Sequence, residues 1–86
     1  MIELQYTSNF MRELKKMNPD LIEEVIEKIE QFKDRANHKI LKVHKLKGKL
    51  YGRYSFSVNY KMRIIFHFKT TNLATLITIG DHDIYK

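Results

Sequence analysis

Residues 54–68, YSFSVNYKMRIIFHF, decide the architecture of this chain. Tyr54, Phe56 and Val58 alternate with Ser55, Ser57 and Asn59, the period of two that a half-buried strand requires. A tight connection near Asn59, Tyr60 and Lys61 leads to a second run in which Met62, Ile64, Phe66 and Phe68 share one face. The opposite face of that run carries Lys61, Arg63, Ile65 and His67. Strands joined by so short a link pair antiparallel. The apolar face seeks cover, and the other presents Arg53, Ser55, Ser57 and Arg63, with His67 a further candidate.

Working upstream, the pair is fed by a basic run. His38, Lys39, Lys42, His44, Lys45, Lys47, Lys49 and Arg53 occur without one acidic residue among them. Ile40, Leu41, Val43 and Leu46 are interleaved with these charges, and Gly48 and Gly52 mark turn or bulge positions. Before it, the apolar stripe Leu21, Ile22, Val25, Ile26, Ile29 and Phe32 predicts a helix from about Pro19 to Ala36. Asn18 suits its N-cap and Pro19 its first turn, where a missing N–H costs nothing. Glu24 and Lys28 have the spacing of an i,i+4 pair, and Lys33 and Arg35 fall where cations complement the helix dipole. A shorter helix holds Phe10, Leu14 and Met17 on one face, capped by Thr7 or Ser8. Ile2, Leu4 and Tyr6 alternate as a strand before it.

Downstream, Thr70, Thr71 and Asn72 form a turn, and Leu73–Ile79 is apolar on both faces, as an interior strand should be. The predicted order is β-α-α-β-β-β: an α+β fold with a helical hairpin on one face of a mainly antiparallel four-stranded sheet. The 86 residues predict a single domain, 1–86, without repeat or linker. A chain of this size buries only roughly 60–65% of its unfolded surface, so modest stability is expected.

Composition narrows the function. There is no cysteine, which excludes disulfides and thiolate metal sites. No apolar run approaches the ~20 residues of a membrane span, and the N-terminus lacks the pattern of a signal peptide, so no membrane association and a cytoplasmic location are expected. The net charge of +6 is unevenly spread. Residues 1–34 hold eight acids and five bases, whereas residues 35–86 hold two acids and eleven bases. That asymmetry suits a face for nucleic acid or an acidic protein, although a solvated lysine-rich face would look the same.

Three features bear on chemistry. Lys42, Lys45, Lys47, Lys49 and Arg53, interleaved with tyrosines, suit phosphates and unstacked bases; the plainer alternative is a solvated loop. Arg63, expected mid-strand beside Ser55 or Ser57, can clamp a phosphate and meet charge developing on it, or serve only as a cross-strand partner or for solubility. In the tail, Asp81-His82-Asp83-Ile84-Tyr85, His82 can exchange protons near neutral pH and Tyr85 can donate or stack, unless the segment is a frayed polar end. No histidine pair has metal-site spacing, and no phosphate loop or serine nucleophile turn occurs; no cofactor is expected.

Four stretches, residues 44–52 (HKLKGKLYG), 54–58 (YSFSV), 62–66 (MRIIF) and 79–85 (IGDHDIY), together resemble the RelE/ParE superfamily of type II toxins. The order of elements matches along essentially the whole chain. The resemblance implies a toxin that cleaves mRNA on the ribosome, needs no metal and is neutralised by a co-transcribed acidic antitoxin. It also implies no direct DNA binding by this chain. Arg63 falls on the strand arginine that several ribonuclease members use, and His82 and Tyr85 on the C-terminal histidine or aromatic position. His44 matches a histidine of the YafQ branch, but Ser57 and Lys61 stand where that branch has His and Asp. The RelE branch relies on Lys, Arg and Tyr.

Metal-free RNA cleavage needs a base for the 2′-OH, cations for the phosphorane and an acid for the 5′-oxygen. The residues offer His82 for proton transfer with His44 as a second candidate, Arg63 with Lys47 or Arg53 for charge, and Tyr85 for orientation. Two other functions fit the same fold: a ParE-like inhibitor of DNA gyrase, and an RNA-binding module without catalysis.

Overall fold

The computed structural model describes residues 1–85, with only the backbone of His82 and Tyr85. Strand β1 (Glu3–Tyr6) leads into helices α1 (Ser8–Lys15) and α2 (Pro19–Phe32). Strands β2 (His44–Lys45), β3 (Tyr54–Ser57), β4 (Arg63–Thr70) and β5 (Leu73–Gly80) follow. The sheet runs β1-β5-β4-β3-β2, with β1 parallel to β5 and every other pair antiparallel. It has five strands rather than the four expected, because two residues inside the basic run, His44 and Lys45, pair with Ser55 and Tyr54. Two residues are too short for an alternation pattern to show in sequence.

The helix starts follow the sequence. Thr7 Oγ1 accepts from Phe10 N at 3.0 Å, and Asn18 Oδ1 from Leu21 N at 2.9 Å. The end of α2 does not: the α-helix stops at Phe32, and Arg35–Asn37 form a separate 3₁₀ turn capped by Asp34. Asn37 Nδ2 donates to Gln31 O and a ring nitrogen of His38 bonds Phe32 O, so side chains satisfy the carbonyls that a longer helix would have used. The expected Glu24–Lys28 pair is also displaced. Glu24 instead accepts from Asn59 Nδ2 at 2.7 Å, tying α2 to the β3–β4 turn, while Lys33 pairs with Glu30.

The helices cover one face of the sheet. Phe10, Val25, Ile29 and Phe32 meet Phe56, Ile64, Phe66, Ala74, Leu76 and Ile79 in one buried cluster. The predicted stripe of α2 narrows in the structure, for Ile26 is 51% exposed. Phe32 is fully buried, its ring stacked on Phe56 at 4.5 Å and on His38 at 4.7 Å. Aromatic contacts of this kind add about 0.5–1.5 kcal/mol each to area burial. They also root the start of the basic run in the core.

Strand β1 is shorter than β5, and α1 makes up the difference. Beyond Tyr6, Thr7 N donates to Leu76 O and Thr7 Oγ1 to Ile77 O. Glu13 Oε1 accepts from Thr78 Oγ1 at 2.5 Å and from Ile79 N at 3.3 Å. One backbone amide and the side chains of Thr7 and Glu13 thus satisfy the strand edge beyond β1.

Candidate active site

Residues directly opposite one another in a sheet project to the same side. Since Phe56, Ile64 and Ile79 lie in the core, the other face is set by the intervening positions. One row reads His44, Ser55, Ile65 and Thr78 across β2, β3, β4 and β5. The next reads Ser57, Arg63 and Gly80. Arg63 therefore opens β4 rather than sitting mid-strand, and Ser57 is the serine beside it. Ile65 and Ser55 are buried on this face, so its floor is less polar than the sequence pattern suggests.

Over this end of the face lies a cavity of about 460 Å³ lined by Lys42, His44, Leu46, Lys47, Leu50, Ser57 and Arg63. It unites two predicted catalytic residues, His44 and Arg63, with two predicted binding lysines, Lys42 and Lys47. No sequence pattern marks Leu46 and Leu50 as apolar walls of a site; only the closure of the loop onto the sheet brings them there. Lys45 and Arg53 are not part of this cavity. They line another, of about 280 Å³, with Tyr51, Tyr54 and Phe68. The division follows from the strand pleat, which sends neighbours His44 and Lys45 to opposite sides. Lys49 is exposed on the 3₁₀ turn Gly48–Leu50 and lines neither.

Arg63 is half-buried and locally held. Its Nη1 donates to Asn59 O at 2.6 Å, Met62 O at 3.1 Å and Tyr60 O at 3.2 Å, binding the β3–β4 turn from which the strand emerges. Asn59 Oδ1 holds the same turn by accepting from Lys61 N and Met62 N. One edge of the guanidinium is thus fixed by the protein. Its Nε and Nη2 make no hydrogen bond among the described residues, and Arg63 lines the cavity.

His44 is exposed, with Nδ1 2.8 Å from Lys42 O. Lys42 has a φ of 59°, the one positive value at a non-glycine among the described residues. His38, which heads the same basic run, turns inward to stack on Phe32 and takes no part in the cavity. Farther along the face, half-buried His67 has its pKa lowered from the ordinary value, first by desolvation and then by the Arg53 and Lys69 charges.

The tail returns toward this end of the sheet. Gly80 shares a row with Arg63, and a Cβ at Gly80 would overlap the Ile84 side chain, so Ile84 packs over the end of β5. Asp81 shapes the 3₁₀ turn His82–Tyr85 by accepting from Asp83 N and, through its carbonyl, from Ile84 N. Tyr60, Lys61, Asp81 and Asp83 line a further cavity of about 350 Å³. The side chains of the two other predicted catalytic residues, His82 and Tyr85, lie outside what the structure describes. Among the described residues no three His, Asp or Glu side chains gather as metal ligands would, and no helix is long and apolar enough to cross a membrane.

No family model matches the chain, and no curated protein does. Solved structures do. The toxin–antitoxin complex RelBE2 from Mycobacterium tuberculosis superposes over 94% of this chain and 98% of its own, with TM-score 0.75 and 17% identity. The YoeB–YefM complex from Staphylococcus aureus matches over 95% and 98%, with TM-score 0.73 and 19% identity. YafQ from E. coli matches over 98% and 97%, with TM-score 0.70 and 13% identity.

Proposed function

We propose that this chain, whose fold matches those of the RelE, YoeB and YafQ toxins over 94–98% of its length, is the toxin of a type II toxin–antitoxin system and a ribosome-dependent endoribonuclease that cleaves mRNA. The observation that carries this reading is the meeting of His44 and Arg63, with Lys42 and Lys47, around one cavity on the sheet face away from the helices. A proton-accepting imidazole and a held guanidinium are what in-line attack by a ribose hydroxyl calls for.

His44 accepts the 2′-OH proton as that oxygen attacks phosphorus, forming a cyclic phosphate. Arg63 and Lys47 meet the charge that builds on the phosphorane. His82, on the tail beside that end of the sheet, protonates the departing 5′-oxygen, and Tyr85 orients or stacks on the substrate. This reverses the order of preference between the two histidines, because His44 adjoins the Arg63 cavity. Leu46 and Leu50 give a base an apolar wall, while Lys45, Lys49 and Arg53 extend the basic surface beyond the cavity toward RNA or ribosome. The ribosome supplies substrate positioning. An acidic antitoxin covering this basic surface would inhibit the enzyme, and the work would be done in the cytoplasm.

The test is mRNA cleavage on programmed ribosomes. His44→Gln is expected to lower the rate by about 10²-fold or more, and Arg63→Lys, which keeps the charge but not the fork, by at least about tenfold. Wild-type rates in both variants would sink the assignment. Growth arrest with DNA breaks and intact mRNA would instead favour gyrase inhibition.

A further inference from the structure

The geometry points to Lys42 as the positioning residue that sets the tautomer of His44, acting through its backbone carbonyl. A carbonyl oxygen can only accept, so the 2.8 Å contact requires the proton on His44 Nδ1. In the neutral ring the lone pair then sits on Nε2, the nitrogen farther from the main chain and suited to take a substrate proton. The opposite tautomer would set two lone pairs against each other at Lys42 O. The choice is therefore imposed by the protein, and imposed through a backbone that is unusual at this point.

A positive φ is disfavoured for lysine, because its Cβ crowds the neighbouring carbonyl. The surrounding loop enforces it. Leu41 N bonds Asn37 O, Lys42 N bonds Lys39 O and Val43 N bonds His38 O, while Leu41 O accepts from Ser57 N at 2.8 Å. The loop is thus anchored both to itself and to β3, and the Lys42 carbonyl has a fixed aim. Glycine would adopt the same φ at lower cost. A lysine there adds a cationic side chain to a residue that lines the cavity, next to the histidine that its own carbonyl orients. Strain held by surrounding structure next to reactive groups is a recurring way to preorganise a site.

The assignment of a catalytic use to this tautomer rests on the nuclease reading above, but the tautomer itself is measured without RNA. Imidazole ¹⁵N NMR of the neutral ring, recorded on the whole protein, distinguishes protonated Nδ1 from protonated Nε2. Lys42→Gly and Lys42→Val both remove the amine, but only glycine accepts a positive φ readily. Wild type and Lys42→Gly are expected to hold the proton on Nδ1. Lys42→Val is expected to shift toward the Nε2-protonated form that prevails in free histidine, and to cleave ribosome-bound mRNA at least about tenfold more slowly than Lys42→Gly. A wild-type ring protonated on Nε2 would overturn the proposal, even if Lys42→Val failed to fold. An unchanged tautomer in folded Lys42→Val would overturn it too. If the tautomer behaved as expected while folded Lys42→Val cleaved as fast as Lys42→Gly, the catalytic use of His44 would fail and the tautomer lock would stand. If wild type itself left ribosome-bound mRNA intact, the nuclease reading would fail and the lock would again stand.

Discussion

Arg63 carries two burdens that a single substitution cannot separate. Its Nη1 closes the β3–β4 turn through three carbonyls, while the residue also lines the cavity. Arg63→Ala is expected to cost about 1–3 kcal/mol of stability as well as activity, because two part-buried carbonyls, Asn59 O and Met62 O, lose a charged donor along with the exposed Tyr60 O. Urea unfolding measures the first loss and single-turnover cleavage by the folded fraction the second. A variant as stable as wild type would show that the turn does not depend on this fork. His67 offers a cleaner measurement. Its folded pKa lies below the ordinary 6.5, so the unfolded chain binds the proton first as pH falls. The stability it contributes is present above about 6.5 and is lost as pH drops through the folded value. Melting curves at several pH values between about 7.5 and 5 should show wild type losing more Tm than His67→Gln; parallel losses would contradict the shift.

The elements succeed where their ends are tied by side chains. Caps at Thr7 and Asn18 start the helices as the sequence predicts, since each cap lies next to the stripe it serves. The end of α2 escapes prediction because it is settled by His38 and Asn37, which come back to Phe32 and Gln31 from six residues downstream. The edge of β5 beyond β1 is a comparable case. Glu13 looks like a solvated helix residue in the sequence, yet its carboxylate completes the strand. Glu13→Ala should therefore lower stability by about 1–3 kcal/mol, far above the few tenths typical of surface sites. In urea this appears as a lower midpoint with an unchanged slope. A midpoint within error of wild type would return Glu13 to the solvated face.

At the scale of the molecule, charge and fold divide the work between two faces. Helices α1 and α2 carry six of the chain's ten acidic residues, while Lys42, His44 and Lys47 of the basic run line the cavity on the opposite face. If the cavity tracks an RNA backbone, affinity for single-stranded RNA should fall with salt, each phosphate contact contributing about 0.7 to the log–log slope. Lys47→Ala is then expected to reduce the slope by about one such step while leaving the fold intact. An unchanged slope would remove Lys47 from the contact set. Lys45→Ala, on the other cavity, tests how far the track extends.

By itself the sequence determined the class of fold, the paired strands around residues 54–68, the two capped helices and the face on which Arg63 lies. Those features depend on periodicity and on caps a few residues away, which are local properties of the chain. The tertiary structure alone decided that His44 and Lys45 part company on a two-residue strand, and that Leu46 and Leu50 wall the cavity. It likewise decided that Glu13 finishes β5 and that Lys42 aims a carbonyl at an imidazole. Each of these is a contact fixed by closure of a loop or by docking of a helix. Such contacts have no period, and a lysine in the sequence does not disclose the sign of its φ.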